Sequence, residues 1–219
     1  MKNKDEQYPL FEFIVDEENE ESLSLISLVV DPAIEVKGFC FSDVEPEKEI
    51  QLFANAEKRI IAGPALIPNK KIKRKDENGN TYMGFFSKET IEKMVEIFNR
   101  NIKNKPSGVI NDEHSNRMVD ADIVGSWIIA DSYYDKSKTY GFDLPVGSFF
   151  IEVKCNDKKF WNEQVKDGGK FGFSIEGLMG TKSADFSKVK ENENEWIEVL
   201  SEIGWVVKDE NFIHFLKNL

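Results

Sequence analysis

Acyl transfer at a serine needs a hydroxyl, a base within hydrogen-bond reach and usually a third group that orients the base. The chain has only 2 His, so the base is His114 or His214. On an ideal helix His214 projects opposite the Phe212, Phe215, Leu216 and Leu219 stripe and faces solvent. His114 sits in Asn111-Asp112-Glu113-His114-Ser115-Asn116, at the head of a strand-rich block. A lone histidine in a polar loop reads either as a structural or exposed residue or as a base. Ser174 lies in Gly172-Phe173-Ser174-Ile175-Glu176-Gly177. Strand alternation puts Gly172, Ser174 and Glu176 on one face and Phe171, Phe173 and Ile175 on the other. Ser174 therefore reads either as a small residue packed under a sheet or as a hydroxyl that a substrate chain can approach closely. Gly-x-Ser-x-Gly is not matched, because Glu176 fills the last position, and an α/β-hydrolase is not expected.

Other chemistries have little to work with. Cys40 and Cys155 lie far apart and make neither a disulfide framework nor a four-ligand zinc site. Asp112, Glu113, Asp120 and Asp122 lack the spacing and the turn glycine of a calcium loop. No glycine-rich phosphate loop is present. The expectation is a site without metal or cofactor.

The elements must bring such residues together. Ser24 to Val30 reads as a buried strand stopped by Asp31-Pro32. A second strand starts at Arg59. Lys70, Lys71, Lys73, Arg74 and Lys75 lead into a hairpin turn at Asn78-Gly79. That basic run reads as a charged hairpin edge or as a contact for an acidic partner. Residues 87–104 form the clearest helix: Ser87 caps it, and Ile91, Met94, Val95, Phe98 and Ile102 make one apolar stripe. Strands follow at Ile123 to Ile129, Tyr140 to Phe142 and Ser148 to Val153, then a short helix capped by Asp157. Trp196, Val199, Leu200 and Ile203 form another helical stripe in the tail.

Composition bounds the rest. The chain has 219 residues and a formal balance of 29 − 40 = −11. That charge counts against a nucleic-acid coat, since phosphate binding needs local positive charge. No apolar run is long enough to span a membrane. The charged N-terminus lacks the apolar core of a secretory signal, and the scarcity of cysteine suits a reducing cytoplasm.

Several motifs in order carry a resemblance. They are Ile26 to Glu35, Gly63-Pro64-Ala65-Leu66-Ile67-Pro68, Phe86 to Lys93, Ser126-Trp127-Ile128-Ile129, Gly141 to Ser148, Phe160-Trp161 and Gly172 to Gly177. Over roughly residues 23–180 the chain resembles the XkdF-like family of tailed-phage proteins, which is similar to phage prohead proteases and herpesvirus assemblins. The resemblance implies an α+β fold, a mostly antiparallel closed β-barrel surrounded by helices, with a helical C-terminal tail. It divides the chain into an N-terminal strand and acidic linker (1–57), a protease-like core (58–180) and a C-terminal helical segment (181–219).

It also implies a serine endopeptidase that trims scaffold and major capsid proteins inside the prohead, in the host cytoplasm. Ser174 carries over as nucleophile and His114 as general base. The third member stays open between Asp112, which shares a face with His114 if that segment is a strand, and Glu176, which shares a face with Ser174. Such enzymes act as homodimers. The tail stripes would supply the interface or cap the chain's own core. Neither membrane nor direct nucleic-acid binding is expected. The alternative is a catalytically degenerate structural head protein, motivated by Gly125 where relatives carry an acid, by the extra Val30 before Asp31-Pro32, and by the missing second histidine.

Overall fold

The computed structural model describes residues 7–15, 22–34, 58–76, 78–103, 105 and 108–184, and the backbone alone of 39–40. These residues belong to one compact unit, residues 1–189. The acidic stretch at 16–21, the linker at 41–50, His214 and both tail stripes lie outside the described residues.

Eleven strands form three sheets. In the first, β1 (Leu10–Ile14) lies between β11 (Gly180–Ala184) and β6 (Thr81–Phe85), and β5 (Ile72–Lys75) completes it beyond β6. The second holds β2 (Leu23–Val29) between β10 (Gly172–Gly177) and β7 (Ile110–Asp112). The third has the order β3 (Phe39–Cys40), β4 (Ile60–Leu66), β9 (Phe149–Cys155), β8 (Ala121–Ile128). Most ladders are antiparallel, but β1–β6 and β2–β7 run parallel.

This corrects the expected architecture. No closed barrel forms among the described residues, and no ring of helices surrounds the sheets. They are open and mixed, and the described chain is mostly β. Closure needs every strand to be hydrogen-bonded on both edges. Here β10 passes near β4 but shares no ladder with it, and three-residue β7 stops where the chain turns back. Among the described residues the helical elements are α1 (Lys88–Ile102), a 3₁₀ turn at Lys136–Tyr140, and α2 (Lys158–Phe160), which runs on as a π-helical stretch at Trp161–Lys166.

Local chemistry explains the elements that formed. Ser87 Oγ accepts from the Thr90 N–H at 3.3 Å and so caps α1. Ile91, Met94, Val95 and Phe98 then bury one helix face in the core cluster that also holds Ile26 and Leu28 of β2. Asp157 caps α2 through the amides of Lys159 and Phe160. The β5–β6 hairpin turns at Gly79, whose φ is 83°, and Asp76 accepts from the amides of Asn78 and Asn80. The strand expected at Tyr140 to Phe142 is instead the end of the 3₁₀ turn. Asp135 caps its start, and Gly141 closes it in the left-handed region at φ 82°.

The glycine at position 125 has a packing reason. A Cβ at Gly125 would lie 2.5 Å from Glu152 Oε2. Glu152 is buried on neighbouring β9, and its other oxygen accepts from Lys136 and Tyr140. Burial, and then the Glu152 carboxylate beside it, push the Tyr140 hydroxyl well above its usual range.

Candidate active site

The second sheet builds the site by register. Ser174 of β10 pairs with Ser27 of β2, and Ser27 pairs with Asn111 of β7. Directly paired residues share a face, as do residues two apart on one strand. Ser174, Glu176, Ser27 and Asn111 therefore form one polar patch on an otherwise apolar sheet. The opposite face carries Ile26, Leu28, Ile110 and Phe173 into the core.

His114 reaches this patch from a strained turn. Asp112 to Ser115 closes with the Ser115 N–H on the Asp112 carbonyl at 2.9 Å. Its central residues, Glu113 and His114, have φ of 50° and 56°. That is the signature of a type I′ turn, which ordinarily selects Asn and Gly. Left-handed backbone costs an ordinary L-residue about 1–2 kcal/mol. Three contacts hold the chain there. The Glu113 N–H donates to the Leu28 carbonyl at 3.1 Å. Glu113 Oε1 accepts from the Val30 N–H at 3.0 Å. Below the turn, Lys170 and Asp112 form a buried ion pair, with Arg117 at 3.5 Å from the same carboxylate.

The turn places His114 Nδ1 3.1 Å from Glu176 Oε1 and 3.1 Å from Ser27 Oγ. Glu176 Oε1 also accepts from Ser27 Oγ and from Asn111 Nδ2, each at 2.6 Å. One oxygen thus collects three donors. Burial alone would raise the Glu176 carboxyl. The bonds from Ser27 and Asn111, followed by the charge and hydrogen bond of His114, outweigh it and hold the group below its usual value. Because Ser27 spends its single proton on Glu176, the proton between His114 and the pair sits on Nδ1. Nε2 is then the basic nitrogen, on a ring whose side chain is 45% exposed.

The sequence-predicted residues separate into two groups. Glu176 and His114 meet. Ser174 lies on the same strand face as Glu176, is 6% exposed, and makes no side-chain hydrogen bond among the described residues. Asp112 does not join them. Its neighbour Asn111 points to Glu176, and Asp112 alternates to the other side, where Lys170 neutralises it. Strand alternation does not continue to His114, because residues 113 and 114 form the turn.

Sequence reading missed Ser27 and Asn111. The only signal for Ser27 was a serine interrupting Leu25-Ile26-Ser27-Leu28. Ser27 is fully buried, so it acts as a hydrogen-bonding support and not as a nucleophile. Asn111 is 1% exposed, and its Oδ1 has no partner.

Cys155, the other classical nucleophile type, is buried, and burial followed by the Asp157 charge pushes its thiol up to about 11. Comparison with family models, curated proteins and solved structures yields no match to this chain.

Proposed function

We propose that this chain is a serine endopeptidase acting on scaffold and major capsid proteins during phage head maturation, within the prohead in the host cytoplasm. The observation that carries the chemistry is the Glu176–His114 pair, built on the strand face that bears Ser174. The phage context is supported by the resemblance of the ordered motifs.

In this reading Glu176 and Ser27 hold the Nδ1 proton of His114, which leaves Nε2 to take the Ser174 hydroxyl proton. Ser174 Oγ attacks the peptide carbonyl. The C–N bond then breaks, and the leaving amine takes the proton back from His114. Water, deprotonated by the same nitrogen, hydrolyses the acyl-enzyme. Loose contact between nucleophile and base is common before substrate binds.

One observation favours a second reading, a structural head protein without activity: no hydrogen bond joins Ser174 and His114. A fluorophosphonate probe separates the two. Labelling of the wild type that disappears in Ser174→Ala and His114→Ala supports the peptidase. Co-expression with scaffold and capsid proteins completes the test. If both variants still process those partners, Ser174 and His114 are not the catalytic pair.

A further inference from the structure

The basic run between Lys70 and Lys75 is not one surface. In β5, Lys73 and Lys75 are exposed, whereas Arg74 follows Ile72 onto the inward face and is half-buried. The Arg74 side chain makes no ion pair or hydrogen bond among the described residues. Burial alone is enough to lower its pKa, and the only charge offsetting that is the Tyr82 hydroxyl across the ladder. A guanidinium stays charged in proteins, so this is a partly desolvated cation without a counter-ion among the described residues.

It lines a cleft of about 380 Å³. Phe13, Phe86, Ile175 and Met179 make the apolar walls, and Glu176, two residues along β10 from Ser174, is the one lining residue that also belongs to the polar patch. The Phe13 and Phe86 rings pack at 4.7 Å, and Gly84 gives the Phe13 ring room, since a Cβ there would lie 2.3 Å from it. Glu176 lines the same cleft but forms no ion pair with Arg74, and its Oε1 is held by Ser27, Asn111 and His114.

We propose that this cleft is a specificity pocket for a carboxylate-bearing side chain, Glu or Asp, of the peptide bound at the Ser174 site, with Arg74 as its counter-ion. The apolar walls cover the methylenes of such a side chain, and the guanidinium meets its carboxylate as a planar fork. An unpaired half-buried cation lowers stability, and a site that binds an anion is where such a cost is retained. The peptide nature of the ligand rests on the endopeptidase reading. The charge preference rests on Arg74 alone.

The test measures binding by Ser174→Ala protein, so it does not depend on turnover. The probes are random-flank nonapeptide pools with a central Glu, Asp, Gln or Lys. The Glu and Asp pools should bind at least about tenfold tighter than the Gln pool, equivalent to about 1.4 kcal/mol. Adding Arg74→Gln should erase that ratio, Arg74→Lys should keep part of it, and Arg74→Glu should move the preference to Lys. Arg74→Met should melt no lower than wild type, which guards against a folding artefact. Equal binding of Glu and Gln pools, binding by none, or an equal loss for all pools in Arg74→Gln would overturn the proposal. Acid-selective binding without cleavage by the wild type would overturn the peptidase reading and leave the pocket standing.

Discussion

His114 Nδ1 stands 3.1 Å from Glu176 Oε1. The contact joins a turn residue to a strand residue, and Ser27 and Asn111 bond the same oxygen from the two strands between them. A carboxylate on the Nδ1 side sets the tautomer of the ring and leaves Nε2 to do chemistry.

Glu176→Gln tests that role directly. The amide keeps the shape but no longer stabilises the imidazolium. Peptidase kcat should fall by about 10²–10⁴-fold with KM little changed, the range of general acid–base contributions. Rates of peptide cleavage and of serine phosphonylation by a fluorophosphonate, Glu176→Gln against wild type, check it.

Acid should remove the same interaction. The folded carboxyl of Glu176 lies below its unfolded value, about 4.3 for a glutamate. Its contribution to stability is therefore fully present above that unfolded value. It is lost as pH falls from there through the lower folded pKa. Urea denaturation of wild type and Glu176→Gln at about pH 5 should show a gap that shrinks as pH falls below about pH 4. A gap that persists unchanged at about pH 3 would remove Glu176 ionisation as its source.

Ser27→Ala deletes one donor to Glu176 and one acceptor for His114. The cost is about 1.5 kcal/mol, the low end for a bond to a charged group, because Glu176 is partly exposed. The Glu176 carboxyl should move up toward its ordinary value, read by carbon NMR of the labelled side chain. Under the proposed mechanism activity weakens but survives, since Ser27 is too buried to be the nucleophile.

The Asp112–Lys170 pair should behave as a structural strut. Both side chains are 11% exposed. Lys170→Met leaves Asp112 with only Arg117 at 3.5 Å, and Asp112→Asn leaves Lys170 with only Glu113 at 3.9 Å, so each should cost about 3 kcal/mol, the low end for breaking a buried pair. Replacing both with Leu and Met should recover most of that loss in urea denaturation. The turn at Glu113 and His114 rests on this pair, so the single variants should also lose activity.

Much of the site was legible because strand alternation is local. Gly172, Ser174 and Glu176 share a face by period alone, and the scarcity of histidine pointed to His114. Asp112 misled for a physical reason. Its face relation to His114 holds only on a continuous strand, and residues 113 and 114 turn through positive φ with no Gly or Asn to announce it. Ser27 was hidden in an apolar run, since nothing local distinguishes a strand serine that packs from one that bonds a carboxylate brought from far along the chain. The closed barrel failed for a related reason, because closure depends on edge-to-edge pairing between strands distant in sequence.

The sequence by itself determined the elements: α1 through its apolar stripe and Ser87 cap, β2 through its apolar run, β10 through its alternation, and the hairpin through Asn78-Gly79. Tertiary structure decided the rest. The β10–β2–β7 register put Ser27 and Asn111 beside Ser174 and Glu176, and it sent Asp112 to Lys170. It also turned Arg74 inward while the neighbouring lysines of β5 face solvent. Register is a long-range choice made by burying one face of each strand, and a shift of one residue would exchange every polar group of this site for its apolar neighbour.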